Sequence, residues 1–167
     1  MKFSQQDFDE VGPLAGLLKK IDIIDATYVN LVSDEIFKRQ PFFLSVLLGY
    51  HLDLAPAQME EVMKVYFIIW EYFKKNKNVQ TRVVTEDLFE RIQRRNIQML
   101  NYAEGEPSDH ARKILYGHDM QKIQSKSLMT AVLFRFNERP DLVSMDEETK
   151  GIVLMGIKTF IECFETI

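Results

Sequence analysis

The chain has one cysteine, Cys163, so no internal disulfide can staple it, and a reducing compartment suits it. Seven glycines and five prolines in 167 residues leave few places for tight turns. That scarcity argues against a fold of many short strands and against a flexible, linker-rich chain. No apolar run approaches the ~20 residues that a membrane-crossing helix needs. The opening residues Met1 to Asp7 lack the apolar segment of a secretory leader. The expectation is a soluble, cytoplasmic protein with no membrane attachment. Reaction signatures are missing too. There is no Gly-x-Ser-x-Gly, no phosphate-cradling glycine loop ending in Gly-Lys, no Gly-x-Gly-x-x-Gly and no Cys-x-x-Cys. The absence of any Glu-x-x-His pair argues against a di-iron bundle. No cofactor is expected.

Rings and aliphatic side chains are plentiful. Hydrophobic residues make up 46% of the chain, twelve of them Phe, against 28% charged. A chain of this length is most simply one domain, 1–167, able to bury roughly two-thirds of its unfolded surface. The net charge is −4, with acids concentrated at the two ends and a mild excess of bases between 36 and 140.

Helix punctuation is frequent. Pro13 suits the first position of a short helix reaching about Lys20. Asp22 or Asp25 can cap a second, with Ile24, Tyr28, Leu31, Val32 and Ile36 as its inward stripe. Gln40-Pro41 interrupts it, and the apolar segment Pro41 to Leu52 reads as a further helix. Pro56 opens a long helix to about Lys75, and 76–81 reads as a polar loop. Thr85 caps a helix whose stripe of Leu88, Phe89, Ile92, Met99 and Leu100 is interrupted by Asn96. Ser108 caps a short helix that Gly117 breaks. Asp119 opens the next, to about Asn137, with Met120, Ile123, Ala131 and Phe134 inward. Ser144 to Glu147 fits a capping box for the last helix, whose Gly151 and Gly156 imply close packing against a neighbour. The fold expected is all-α: a compact up-and-down bundle of six to eight helices around a central apolar helix at about 56–75. Its run Val65 to Phe73 is apolar on every side of the helix, which requires neighbours all round. Glu71 is the one charge inside it.

Three groups of residues carry candidate chemistry. Tyr66 and Trp70, four apart and each with a polar handle, could line a pocket together with Glu71 and His51, although core packing is the ordinary use of such rings. His110, His118, Asp109 and Asp119 offer metal-ligating atoms. Eight residues place the two histidines about 80° apart around a helix, however, and first-turn aspartates need no metal to explain them. Arg91, Arg94 and Arg95 share a helix face that could meet phosphate, but acids interleave them and the chain is acidic, with a pI near 5.4. Cys163, expected near the C-terminal end of a helix, should be an inert thiol. The reading that results is a non-enzymatic protein–protein interaction or assembly module. It would pair with a protein partner or with itself through an apolar face at Pro41 to Leu52. A small-molecule or metal-binding bundle is the alternative, and a nucleic-acid-binding protein the second.

Overall fold

The first helix begins at Gln5, eight residues before the proline expected to open it. Ser4 is the reason: its hydroxyl accepts from the Asp7 amide while the Asp7 carboxylate accepts from the Ser4 amide, a reciprocal cap. Helix α1 (Gln5–Asp22) then runs straight through Pro13. There the ring removes one amide donor on an exposed turn, where water can satisfy the orphaned carbonyl.

The computed structural model describes residues 3–167, and every regular element among them is helical. After α1 come α2 (Ala26–Arg39), α3 (Pro41–Gly49), a 3-10 turn (Tyr50–Leu52), α4 (Pro56–Phe73), α5 (Lys77–Thr81), α6 (Glu86–Glu104), α7 (Asp109–Met120), α8 (Lys126–Glu138), α9 (Pro140–Val143) and α10 (Glu147–Thr166). Eight of these ten α-helices have nine residues or more; α5 and α9 are single turns, the first in a segment expected to be loop. Asp25, Thr85 and Ser108 cap the helices assigned to them.

Helix α4 is the centre of the bundle. Residues Val65 to Trp70 are each no more than 1% exposed. They are enclosed because α4 packs against α1, α3, α8, α9 and α10. Phe160 of α10 gathers the rings around it, with centroids 4.5 Å from Phe89, 4.8 Å from Phe43, 5.9 Å from Phe42 and 6.0 Å from Tyr66. Gly156 lies one turn earlier. A side chain there would collide with the Tyr50 hydroxyl, which accepts a 3.2 Å hydrogen bond from Tyr66. Close packing at Gly156 is therefore as expected, whereas Gly151 faces open space.

Several expectations need correction. Gly117 does not break α7, and Asp119 ends that helix instead of opening the next. The break falls at Gln121–Ser125, and α8 starts where Glu165, from the end of α10, accepts hydrogen bonds from the amides of Gln124 and Ser125. A cap supplied from 40 residues away leaves no local signature. Asp146, not Ser144, caps α10, while the Ser144 hydroxyl donates to the Asp141 carbonyl. Leu31, expected inward, is 67% exposed, and so is Phe134 at 57%. The face of α8 is turned so that Arg135, with Leu128, Val132 and Phe136, is buried in its place. Asn96 does not interrupt the buried face of α6 but belongs to it.

Candidate functional site

The residues singled out as a ligand site are not brought together. Trp70 is core, and its indole N–H donates to Glu35 at 3.1 Å. Tyr66 is core, and burial pushes its hydroxyl well above the ordinary tyrosine value. His51 sits on the surface of the 3-10 turn with its Nδ1 2.6 Å from the Leu48 carbonyl, a local loop contact. Glu71 does not stand on an exposed edge of α4. Its side chain is 11% exposed, accepts from the Tyr28 hydroxyl at 2.8 Å, and pairs with Lys74 at 3.0 Å. Lys74 also reaches Glu35 at 3.3 Å, so Glu71 is held in a network joining α2 to α4.

The metal candidates separate in the same way. Asp109 pairs with Arg112 at 2.6 Å, Asp119 with the buried Lys158 at 3.2 Å, and His110 and His118 are exposed. Among the described residues no three His, Cys, Asp or Glu side chains are grouped to hold a metal ion. Of the arginines, Arg91 and Arg94 are exposed, and Arg95 is committed to Glu162 at 2.8 Å.

That Glu162 is the centre of a polar cluster buried between α6 and α10. The Asn96 amide donates to Glu162 at 2.6 Å, and Lys158 donates to Asn96 at 2.7 Å and to Glu162 at 3.3 Å. Each charge is both paired and hydrogen-bonded, the condition for tolerating it inside a protein. A second cluster lies where α1, α4 and α8 meet. Buried Arg135 binds Asp22 at 2.7 Å and Glu61 at 2.9 Å; Arg139 also meets Asp22, and Lys64 also meets Glu61. These clusters weld helices that are far apart in sequence; only the Glu61–Lys64 and Lys158–Glu162 pairs have local helical spacing.

Cys163 lies beside Glu162, fully buried. Burial first, and the Glu162 charge second, push its thiol up to about 12. A disulfide-exchange reagent at about pH 8 should leave Cys163 unlabelled in the native protein and modify it only on unfolding, because the thiolate is the reactive species. Rapid stoichiometric labelling without denaturant would show that this end of α10 opens readily.

Two concavities stand out among the described residues. The larger, about 760 Å³, lies among α1, the ends of α4 and α10, and the turn before α8. Its carboxylates are already occupied: Glu10 accepts from the Tyr72 hydroxyl at 2.8 Å, Glu71 is held as above, and Glu165 caps α8. The smaller, about 340 Å³, runs between α1 and α8 and is lined by Phe3, Phe8, Val11, Leu14, Ala131 and Phe134 together with Asp7, Ser127 and Thr130. Phe3, Phe8, Val11 and Phe134 are all exposed, so this apolar surface is open to water. The sequence pattern does not mark the groove: it predicts Phe134 inward and a first helix opening only at Pro13, after Phe8 and Val11. No family model, curated protein or solved structure matches the chain.

Proposed function

We propose that this chain is a non-enzymatic protein–protein interaction or assembly module, and that its contact face is the groove between α1 and α8. The observation carrying this is the grouping of Phe3, Phe8, Val11 and Phe134, each large, apolar and exposed, around one concave surface. Contiguous exposed apolar surface is costly in water and marks sites that another molecule covers. A groove between two helices suits the apolar face of a third helix. The face expected at Pro41 to Leu52 is a poorer candidate, since Phe43, Leu44 and Leu47 are spent on the core and only Leu48 and Leu52 of its large apolar side chains stand out from it. The 760 Å³ cleft is large enough for a small molecule. It gives that alternative weaker support, because its acidic groups already have donors inside the chain.

A photo-crosslinking amino acid placed at Phe134 of the full chain, in its own cell, tests the reading. A discrete covalent adduct with a protein is expected there and not at Asp53, an exposed residue away from the groove. Equal labelling at both positions, or none at either, would overturn it.

A further inference from the structure

The chain is pinned into the core at Ala103, 0% exposed, and again at Ile123, 1% exposed. No residue from 104 to 122, between those two points, is buried. That span holds α7, the one α-helix among the described residues without a buried side chain. Ile114 and Tyr116 are exposed, and Met120, the last residue of the helix, is the side chain that packs against the core. The extensive contact of α7 with another helix is with α6, which immediately precedes it. Among the described residues, a single side-chain bond joins α7 to a different helix: Asp119 pairs with Lys158 of α10 at 3.2 Å. The Asp109–Arg112 pair lies within α7 itself. The Arg112 Nε is buried and has no acceptor among the described residues. The docked position therefore leaves one donor unsatisfied that water would satisfy if the helix lifted.

We infer that residues 104–122 form a flap that lifts from α6 and melts while the rest of the bundle stays folded, with the Asp119–Lys158 pair as its latch. Segments with few buried contacts open first, and the buried anchors at Ala103 and Ile123 stop the opening from spreading. Helices of fewer than ~12–15 residues are marginal alone in water, and α7 has 12, so it does not outlast its undocking. Gly117, near its end, lowers its helix preference further. Lifting takes Asp119 away from Lys158, whose Nζ keeps Asn96 at 2.7 Å and Glu162 at 3.3 Å. It also uncovers that amine, which is buried in the closed bundle. Lys158 and Arg95 are then left against Glu162, so the uncovered surface is cationic where the closed one was balanced. No residue of α7 lines the groove between α1 and α8, so the flap stands apart from the interaction face.

Hydrogen exchange of the full chain, at denaturant concentrations below unfolding, reads the flap directly. Amides of α7 should be protected at least about a hundredfold less than those of α4, and should respond little to denaturant, because a local opening exposes little surface. Asp119→Asn should speed exchange throughout α7 about tenfold, the weight of a hydrogen bond between charged groups. A side chain at Gly117 meets no atom within 4 Å, so Gly117→Ala acts on helix preference alone and should slow the same exchange about threefold. Lys158 should react with an amine-directed ester in the native chain, faster in Asp119→Asn and slower in Gly117→Ala. Protection in α7 equal to that in α4, exchange in α7 that neither substitution moves, or a Lys158 that reacts only when the whole chain unfolds would each overturn the inference.

Discussion

Phe160→Ala should remove about 3–5 kcal/mol of stability, the range for deleting a large buried ring. Phe160 is fully buried and lies within 6.4 Å, centroid to centroid, of Phe42, Phe43, Tyr66, Phe89 and Phe164. Those rings come from α3, α4, α6 and α10, so no single element can move into the space that alanine leaves. Edge-on and tilted ring pairs add about 0.5–1.5 kcal/mol each beyond area alone. A total stability of 5–15 kcal/mol is typical of a domain, which makes this a loss that can unfold much of the population. Urea unfolding of the variant beside the parent checks it. A loss below about 1.5 kcal/mol would mean that the cluster repacks as readily as a loose aliphatic core.

Arg135→Met should cost about 3 kcal/mol, for a different reason. Methionine matches the arginine stem in shape but leaves Asp22 and Glu61 without their shared cation, and stranding a buried charge costs more than a pair contributes. Arg139 still serves Asp22 and Lys64 still serves Glu61, which places the loss at the lower end of the 3–5 kcal/mol range for broken buried pairs. The dependence on pH identifies the cause. Burial alone would raise the Asp22 carboxyl, but the hydrogen bonds and charges of Arg135 and Arg139 outweigh it and hold the carboxyl below the ordinary aspartate value of 3.8. A lowered carboxylate stabilises the fold above its unfolded value and loses that contribution as pH falls through its folded one. The gap between parent and Arg135→Met should therefore be widest above pH 3.8 and narrow below it. A gap unchanged between about pH 7 and pH 3 would assign the loss to packing.

These two residues also show what one sequence discloses and what it withholds. The central helix was legible because Val65 to Trp70 is apolar on all sides, and only an enclosed helix can hold such a run. The caps at Asp25, Thr85 and Ser108 were legible because each acts on an amide within three residues. Arg135 and Asn96 were not, since their partners lie 62 to 113 residues away and a polar residue in a helix ordinarily faces water. The same reason hid the groove: once Arg135 takes the inward position, Phe134 is swung to the surface. Tyr66 and Trp70 are enclosed by the core that their own apolarity predicts, while His51 is exposed on the 3-10 turn.

The cap on α8 has a consequence for how the chain is made. The amides at the start of that helix are satisfied by Glu165, which follows them by 40 residues. During synthesis from the N-terminus, α8 emerges while its cap is still in the ribosome, and Phe160, on which the rings of α3, α4 and α6 converge, is also still to come. The early helices must wait with their apolar faces uncovered until α10 arrives, so commitment to the native bundle is postponed until that helix has been translated, and a chain released before Glu165 would lack both the cap and the means of closing its core.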